Sequence, residues 1–404
     1  MSRPFSRAVS LGVFSSVTAF SALYCYKTLP FGSRSFTTMT KSGDHHHGNG
    51  FRNPWESATV QGLRETFKML SEVNLRKTEQ TITSNAKPPM VEKMNWELIR
   101  EPSQAGENNI VVTWLGHACA LVQINGLNVL LDPVFSDRCS PFQFVGPKRY
   151  TDAPCQLKDL PQIDAIVISH NHYDHLDTNS IKELAEQHPK AHFYVPLGNK
   201  AWFHIKNTNE RVTELDWWEH KTLTLGDNVV KFTCTPSQHF SGRGIFDRNK
   251  TLWASWCLEG IRNDKVSGGK VFFGGDTGYR SVPTEASPND QYDEDYLDNL
   301  PHCPAFKEIG NKIGPFDLSL IPIGAYSPRW FMSTVHCSPE DAVRVHEDIK
   351  SKKSIGIHWG TFVLTDEPVH EPPERLKKAL KKRGHQEQSF DVLKLGETFV
   401  VETS

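Results

Sequence analysis

The chain has 404 residues, 38% of them hydrophobic, and carries 45 basic against 47 acidic side chains. That balance gives no global field for a polyanion, which weighs against a nuclease and against nucleic acid as a partner. The eight cysteines are scattered with no Cys-x-x-Cys pair, so neither a disulfide framework nor a thiolate zinc site is indicated, and a reducing setting is the easier reading.

Residues 1–43 contain Arg3, Arg7, Lys27, Arg34 and Lys41, no acid, and many Ser and Thr, which is the composition of a mitochondrial targeting segment. Residues 8–26 are uncharged and long enough for a marginal transmembrane span. The leader therefore reads as a cleaved presequence, an inner-membrane anchor or an endomembrane signal-anchor, with the mitochondrial inner membrane favoured. His45-His46-His47, set among glycines with no strand before it, reads as a disordered polar tract. Residues 44–100 form an N-terminal extension expected to pack on a catalytic domain spanning 101–404, which is large enough to bury a sizeable core.

Ala120 to Ile124 and Leu127 to Leu131, joined by Asn125-Gly126, predict a β-hairpin that ends at Asp132. His117 lies just past the strand that precedes it and reads equally as a structural histidine. Ile163 to Ser169 is an apolar, β-branched run of the kind that forms a buried parallel strand. At its carboxyl end comes His170-Asn171-His172-Tyr173-Asp174-His175, in which four residues are metal-ligand types at a spacing that suits two adjacent ions. The next helix is expected after this loop, capped by Ser180 with Glu183 three residues on.

Two neighbouring ions need further ligands, and three polar residues end short apolar strands downstream. His239 closes the run from Val229, Asp276 follows Phe272-Phe273-Gly274-Gly275, and His358 follows Ser354 to Ile357. Any one alone is better read as a structural histidine or a turn aspartate; together with the cluster they read as ligands. Residues 281–302 are rich in Asp and Glu and read as a solvated acidic loop. Pro372 to Gly384 reads as a helix with a basic face, either solvated or docked on anionic lipid.

The cluster, the later His239, Gly274-Gly275-Asp276-Thr277-Gly278 and His358-Trp359-Gly360 resemble the metallo-β-lactamase superfamily. Thr113 to Ala118, Gly146 to Arg149, Leu215 to Glu219, Thr235 to His239, Ile321 to Tyr326 and Pro328 to Met332 resemble one branch of it, the N-acyl-phosphatidylethanolamine-hydrolysing phospholipases D. The resemblance runs from about Phe51 to Leu395. It implies an α/β fold, the αββα four-layer sandwich, with two Zn2+ per chain. By this likeness His170, His172 and His239 hold one ion, Asp174, His175 and His358 hold the other, and Asp276 bridges them.

The same likeness makes Asp132 the buried aspartate behind the ligands. Tyr173 and His336 match substrate-contacting positions, and Asp174 and His336 are the candidate catalytic residues. It implies hydrolysis of N-acyl-phosphatidylethanolamine to N-acylethanolamine and phosphatidic acid by a metal-bridging hydroxide, a membrane surface as partner, and a homodimer. No Gly-x-Ser-x-Gly elbow is present to offer a protein nucleophile. The metal chemistry alone leaves a lactone, a sugar phosphate or another phosphodiester open as substrate. Phe142, Phe144, Trp217, Trp218, Trp330 and Phe331 line an acyl-chain channel or belong to the core.

Overall fold

In the computed structural model the described residues are 44–75, 87–106, 108–205, 208–244, 246–263 and 265–403. The leader, residues 1–43, lies outside them. The strands are β1 (His46–His47), β2 (Gly50–Phe51), β3 (Ile110–Gly116), β4 (Cys119–Ile124), β5 (Leu127–Leu131), β6 (Ala165–Val167), β7 (His192–Pro196), β8 (Val212–Leu215), β9 (His220–Leu225), β10 (Asn228–Thr235), β11 (Ser255–Arg262), β12 (Lys265–Phe273), β13 (Leu318–Pro322), β14 (Ser354–Ile357), β15 (Phe390–Asp391) and β16 (Thr398–Val401). The α-helices are α1 (Leu63–Leu75), α2 (Trp96–Arg100), α3 (Thr178–Gln187), α4 (Glu294–Leu297), α5 (Ala305–Lys312), α6 (Arg329–Met332), α7 (Pro339–Asp348) and α8 (Glu371–Lys382).

Two seven-stranded sheets run in the orders β16-β3-β4-β5-β6-β7-β8 and β15-β14-β13-β12-β11-β10-β9. Each is antiparallel where hairpins build it and parallel beyond: β5 pairs parallel with β6, and β12 pairs parallel with β13. The expected hairpin forms, with Asn125 at φ 47° and Gly126 at φ 78°, both left-handed as a tight two-residue turn requires. Alternation along the buried strands decides the layering. Val129, Leu131, Ala165 and Val167 meet Phe232, Trp256, Leu258 and Val271 between the sheets, whereas Leu130, Ile166 and Ile168 pack against Ile181 and Leu184 of α3. The second sheet is covered by α7 and α8 through Val343, Leu376 and Leu380. The result is the αββα sandwich.

The topology brings one set of strand ends to one edge. Since β3, β5 and β6 point the same way in one sheet, and β10, β12 and β14 in the other, their carboxyl ends deliver His117, Asp132, the 170–175 loop, His239, Asp276 and His358 together.

Several local expectations are corrected. His45-His46-His47 is part of an ordered hairpin, because His45 is buried and both His45 and His46 meet Asp216. The helix after the metal loop starts at Thr178 and is capped by Asp177, whose carboxylate accepts from Asn179 N; Ser180 lies inside the first turn and donates to Asp177 at 2.5 Å. The acidic 281–302 segment is not a freely solvated loop. It forms α4, buries Leu297, and pairs Glu294 with Arg383, Asp295 with Lys382, and Asp298 with Arg280 and Arg344. Of those partners, Lys382 ends α8 and Arg383 caps it, so part of that helix's basic face is taken up. Trp217, Trp330 and Phe331 are buried in apolar clusters, whereas Phe142 and Phe144 stand exposed on a loop, so no single channel gathers the aromatics.

No helix among the described residues is long and apolar enough to cross a membrane. The seven cysteines among them, which exclude Cys25, are free.

Candidate metal centre

Backbone geometry at the edge is unusual. His117, Asp132 and His358 take left-handed φ values of 54°, 37° and 66°, a costly conformation for residues with a Cβ, and all three turn their side chains into one cluster. Gly275, at φ 55°, lets the two sheets close: a Cβ there would lie 2.4 Å from the Cβ of Ser169. Asp276 is thereby carried up to the 170–175 loop.

The ligand-type side chains fall into two groups. One is His170, His172, His239 and Asp276; the other is His117, Asp174, His175 and His358; Asp276 and His358 also form a smaller group with His336, and within each the offered atoms lie within 4.8 Å of one another. Asp276 stands between them. Its Oδ2 is 3.9 Å from His170 Nε2, 3.7 Å from His239 Nε2 and 3.1 Å from His175 Nε2, and its Oδ1 is 3.0 Å from His358 Nε2. All seven residues expected as ligands are thus brought together, and His117 joins them.

Outer contacts fix which nitrogen faces inward. His175 Nδ1 donates to Asp132 Oδ2 at 2.6 Å, and His239 Nδ1 donates to the Val335 carbonyl at 2.8 Å. Ser169 Oγ gives its proton to Asp132 Oδ2 at 2.5 Å, which leaves it to accept from His170 Nδ1 at 2.9 Å. Each of these three imidazoles therefore turns its Nε2 toward the cluster, the orientation a metal ligand needs. Asp132 also accepts from Ser169 N, so one buried carboxylate holds both ends of the loop's entry.

The donor set suits metal ions. His175 Nε2, His358 Nε2 and Asp276 Oδ1 are buried without a hydrogen bond, although they lie close together. Burial pushes His172 and His239 down to about 3 and His170 well below its ordinary range, so these are neutral imidazoles. At His175 and His358 burial opposes the charge, but the carboxylates of Asp276 and Asp174 outweigh it, raising His358 to about 9 and His175 well above its usual value. Asp174 and Asp276 are held well below the carboxylate range, chiefly by His175, against the effect of burial. These charges are what cations in the cluster would replace.

His336 lies beside the cluster, whereas Tyr173, next to the ligands in sequence, turns to Arg243. His336 Nδ1 is 4.0 Å from Asp276 Oδ2, and its ring lies 5.2 Å from that of His239. The residue follows α6, where buried Arg329 donates to the His336 carbonyl at 3.1 Å and pairs with Asp341. Tyr173 OH donates to the Arg243 carbonyl at 3.1 Å, and the Arg243 guanidinium lies 3.9 Å over its ring. Sequence reasoning left His117 undecided. The signal that places it at the centre was the glycine before it, Gly116 at φ 105°, which ends β3 beside the loop.

The Beta-lactamase superfamily domain matches residues 127–293 and 296–359, more than half of the chain. The N-acyl-phosphatidylethanolamine-hydrolyzing phospholipase D 1 of Caenorhabditis elegans is 36% identical over 359 residues, 87% of this chain and 92% of the worm protein. The chain belongs to the N-acyl-phosphatidylethanolamine-hydrolysing phospholipase D family of the metallo-β-lactamase superfamily. It is a hydrolase of that fold, with a metal-binding cluster at the sheet edge. Within the family, the mitochondrial enzyme of Saccharomyces cerevisiae is 32% identical over 72% of this chain and 56% of its own length. An uncharacterised protein of Mycobacterium tuberculosis is 42% identical over 67% of this chain. An isothiocyanate hydrolase from Delia radicum gut bacteria superposes with a TM-score of 0.50 at 14% identity over 72% of this chain and 98% of its own, a likeness of fold alone.

Proposed function

We propose that this chain is a zinc-dependent phospholipase D that hydrolyses N-acyl-phosphatidylethanolamine to N-acylethanolamine and phosphatidic acid. The observation that carries the reading is Asp276, which stands between the two ligand groups, its Oδ2 3.7 Å from His239 Nε2 of one and 3.1 Å from His175 Nε2 of the other, and its Oδ1 3.0 Å from His358 Nε2. Imidazole and carboxylate donors without thiolate suit Zn2+. Two such ions, when bound, would supply a water activated at neutral pH and clamp the oxygens of a phosphodiester.

The protein's own groups do the rest. His170, His172 and His239 hold one ion and Asp174, His175 and His358 the other, with Asp132 orienting His175. His336 stands beside the centre with an N–H to offer a phosphate oxygen or the departing alkoxide of the N-acylethanolamine, and Tyr173, between the ligands in sequence, is a second substrate contact in this reading. The substrate lies in a bilayer, which is consistent with large apolar side chains exposed on segments that leave the metal edge. Phe142 and Phe144 follow Asp132 on the loop after β5, and Phe246 lies on the segment after His239; they are 56%, 83% and 81% exposed. A mitochondrial membrane is the proposed site of action, by likeness to the yeast relative.

The test is incubation of the zinc-loaded protein, with and without chelator, on N-acyl-phosphatidylethanolamine, following N-acylethanolamine by mass spectrometry. Chelator-sensitive release supports the proposal. No release from a protein that holds two zinc ions assigns the centre to another substrate, such as a lactone, a sugar phosphate or a different phosphodiester.

A further inference from the structure

A second gathering of ligand-type side chains, sharing no residue with the catalytic cluster, lies at the carboxyl end of β8, the outermost strand of its sheet, where residue 44 begins the described chain. The β1–β2 hairpin is fastened to the domain by its backbone, with Phe51 N donating to the Asn249 carbonyl at 2.8 Å. His45 and His46 then meet Asp216, the residue that follows β8. His45 Nε2 is 2.7 Å from Asp216 Oδ1, and His46 Nε2 is 2.7 Å from Asp216 Oδ2. His45 lies in the turn before β1 and His46 begins the strand, and there the two adjacent imidazoles converge on one carboxylate. Their ring centroids are 4.5 Å apart, and the three offered atoms fall within 4.8 Å of one another.

The three residues differ in the way a coordinating site requires. His45 is buried and stacked on Trp217 at 4.2 Å, which fixes its ring. Asp216 is fixed from behind, since its Oδ1 accepts from Trp217 N at 2.7 Å and its own N–H is held by Glu219 Oε2 at 2.9 Å. The side chain of His46 is 54% exposed, so water reaches the remaining positions. Two imidazole nitrogens and a carboxylate oxygen match the donor set of a borderline divalent cation.

We infer that His45, His46 and Asp216 form a further divalent-cation site, separate from the catalytic centre, that takes Zn2+ or a cation of similar preference with water completing its shell. The ion would clasp the start of the N-terminal segment to the domain. That segment runs on to the catalytic edge, where Asn53 Nδ2 donates to the backbone carbonyl of His239 at 2.7 Å and Ser57 Oγ donates to Gln238 Oε1 at 2.6 Å. Occupancy would therefore brace the strap that supports His239 from its far end. This inference does not depend on the substrate of the catalytic centre.

The full chain, His46→Ala and Asp216→Asn are dialysed to equilibrium against buffered free Zn2+, and bound zinc is counted by mass spectrometry, with circular dichroism confirming the fold of each. The site predicts one equivalent more in the wild type than in either variant. Equal zinc in all three proteins overturns it and leaves the contacts as hydrogen bonds alone. Loss in His46→Ala but not in Asp216→Asn overturns it as well, because the ion would then be held by an exposed imidazole without the carboxylate.

Discussion

His117 Nε2 donates to Asp174 Oδ2 at 2.8 Å, while the His117 carbonyl accepts from His358 N at 2.9 Å, so one residue holds the side chain of one ligand and the backbone of another in the same group. Its ring lies 3.8 Å from that of His358, and its own N–H is held by Thr361 Oγ1 at 2.7 Å. Burial pushes His117 down to about 3, so it meets Asp174 as a neutral imidazole. Its removal should loosen the ion held by Asp174, His175 and His358. Groups that orient metal ligands are typically worth about 10–100-fold in affinity. His117→Ala should therefore lose one metal in competition with a chelator and keep the other, and His117→Gln, which can still donate to Asp174, should recover part of the loss. Unchanged affinity for both metals in His117→Ala would show that the residue only packs.

His336 faces Asp276 but has Arg329 holding its backbone, so its side chain can be removed without disturbing the ligands. His336→Ala is expected to retain full metal content and to lose about 10²–10⁴-fold in turnover, the usual worth of a positioned proton-transferring or hydrogen-bonding group. Metal counting beside steady-state kinetics checks this. If the variant comes out of the column short of one metal, His336 is a ligand and its role at the substrate is wrong.

Much of the centre is legible in the sequence. His170 to His175, His239, Asp276 and His358 each follow an apolar strand, and strand ends in open α/β sheets collect at one edge, so type and position pointed the same way. Asp132 ends the Asn-Gly hairpin, but its place behind the ligands came from the family likeness and not from the strand pattern. What failed was contact between segments with no periodicity to link them. His45 and Asp216 are separated by 171 positions, and nothing local to His45-His46-His47 announces a partner. The acidic 281–302 segment looked solvated because its charges are many, yet Arg383, Lys382 and Arg344 that neutralise them come from helices elsewhere in the chain. At α3 the error was local: both Asp177 and Ser180 are good capping residues, and the one nearer the loop took the cap.

Gly275 is where the two sheets come within touching distance. A Cβ there meets the Cβ of Ser169 at 2.4 Å, and its φ of 55° is unfavourable for any other residue. Gly275→Ala should cost roughly 1–3 kcal/mol from overpacking and about as much from backbone strain. Because Ser169 shares Asp132 with His175, the shift should also weaken metal binding. Denaturant unfolding with metal counting tests the pair of effects. A variant as stable as the wild type with full metal would mean that the loop can retreat at no cost.

The raised His358 and His175 give the centre an opposite pH dependence in its two states. Without metal, a group whose folded value lies above its unfolded value stabilises the fold fully below the unfolded value, and that contribution fades as pH rises through the folded one. For His358, near 9 in the fold against an ordinary 6.5, the chelated protein should lose melting temperature between these two pH values. Metal must displace the same protons, so its affinity should strengthen over that window by about tenfold per pH unit for each proton released. Calorimetry in buffers of different ionisation heat reads the proton release directly. Binding without it at neutral pH would show that His175 and His358 are already neutral, and that Asp174 and Asp276 carry their charges unpartnered until the metal arrives.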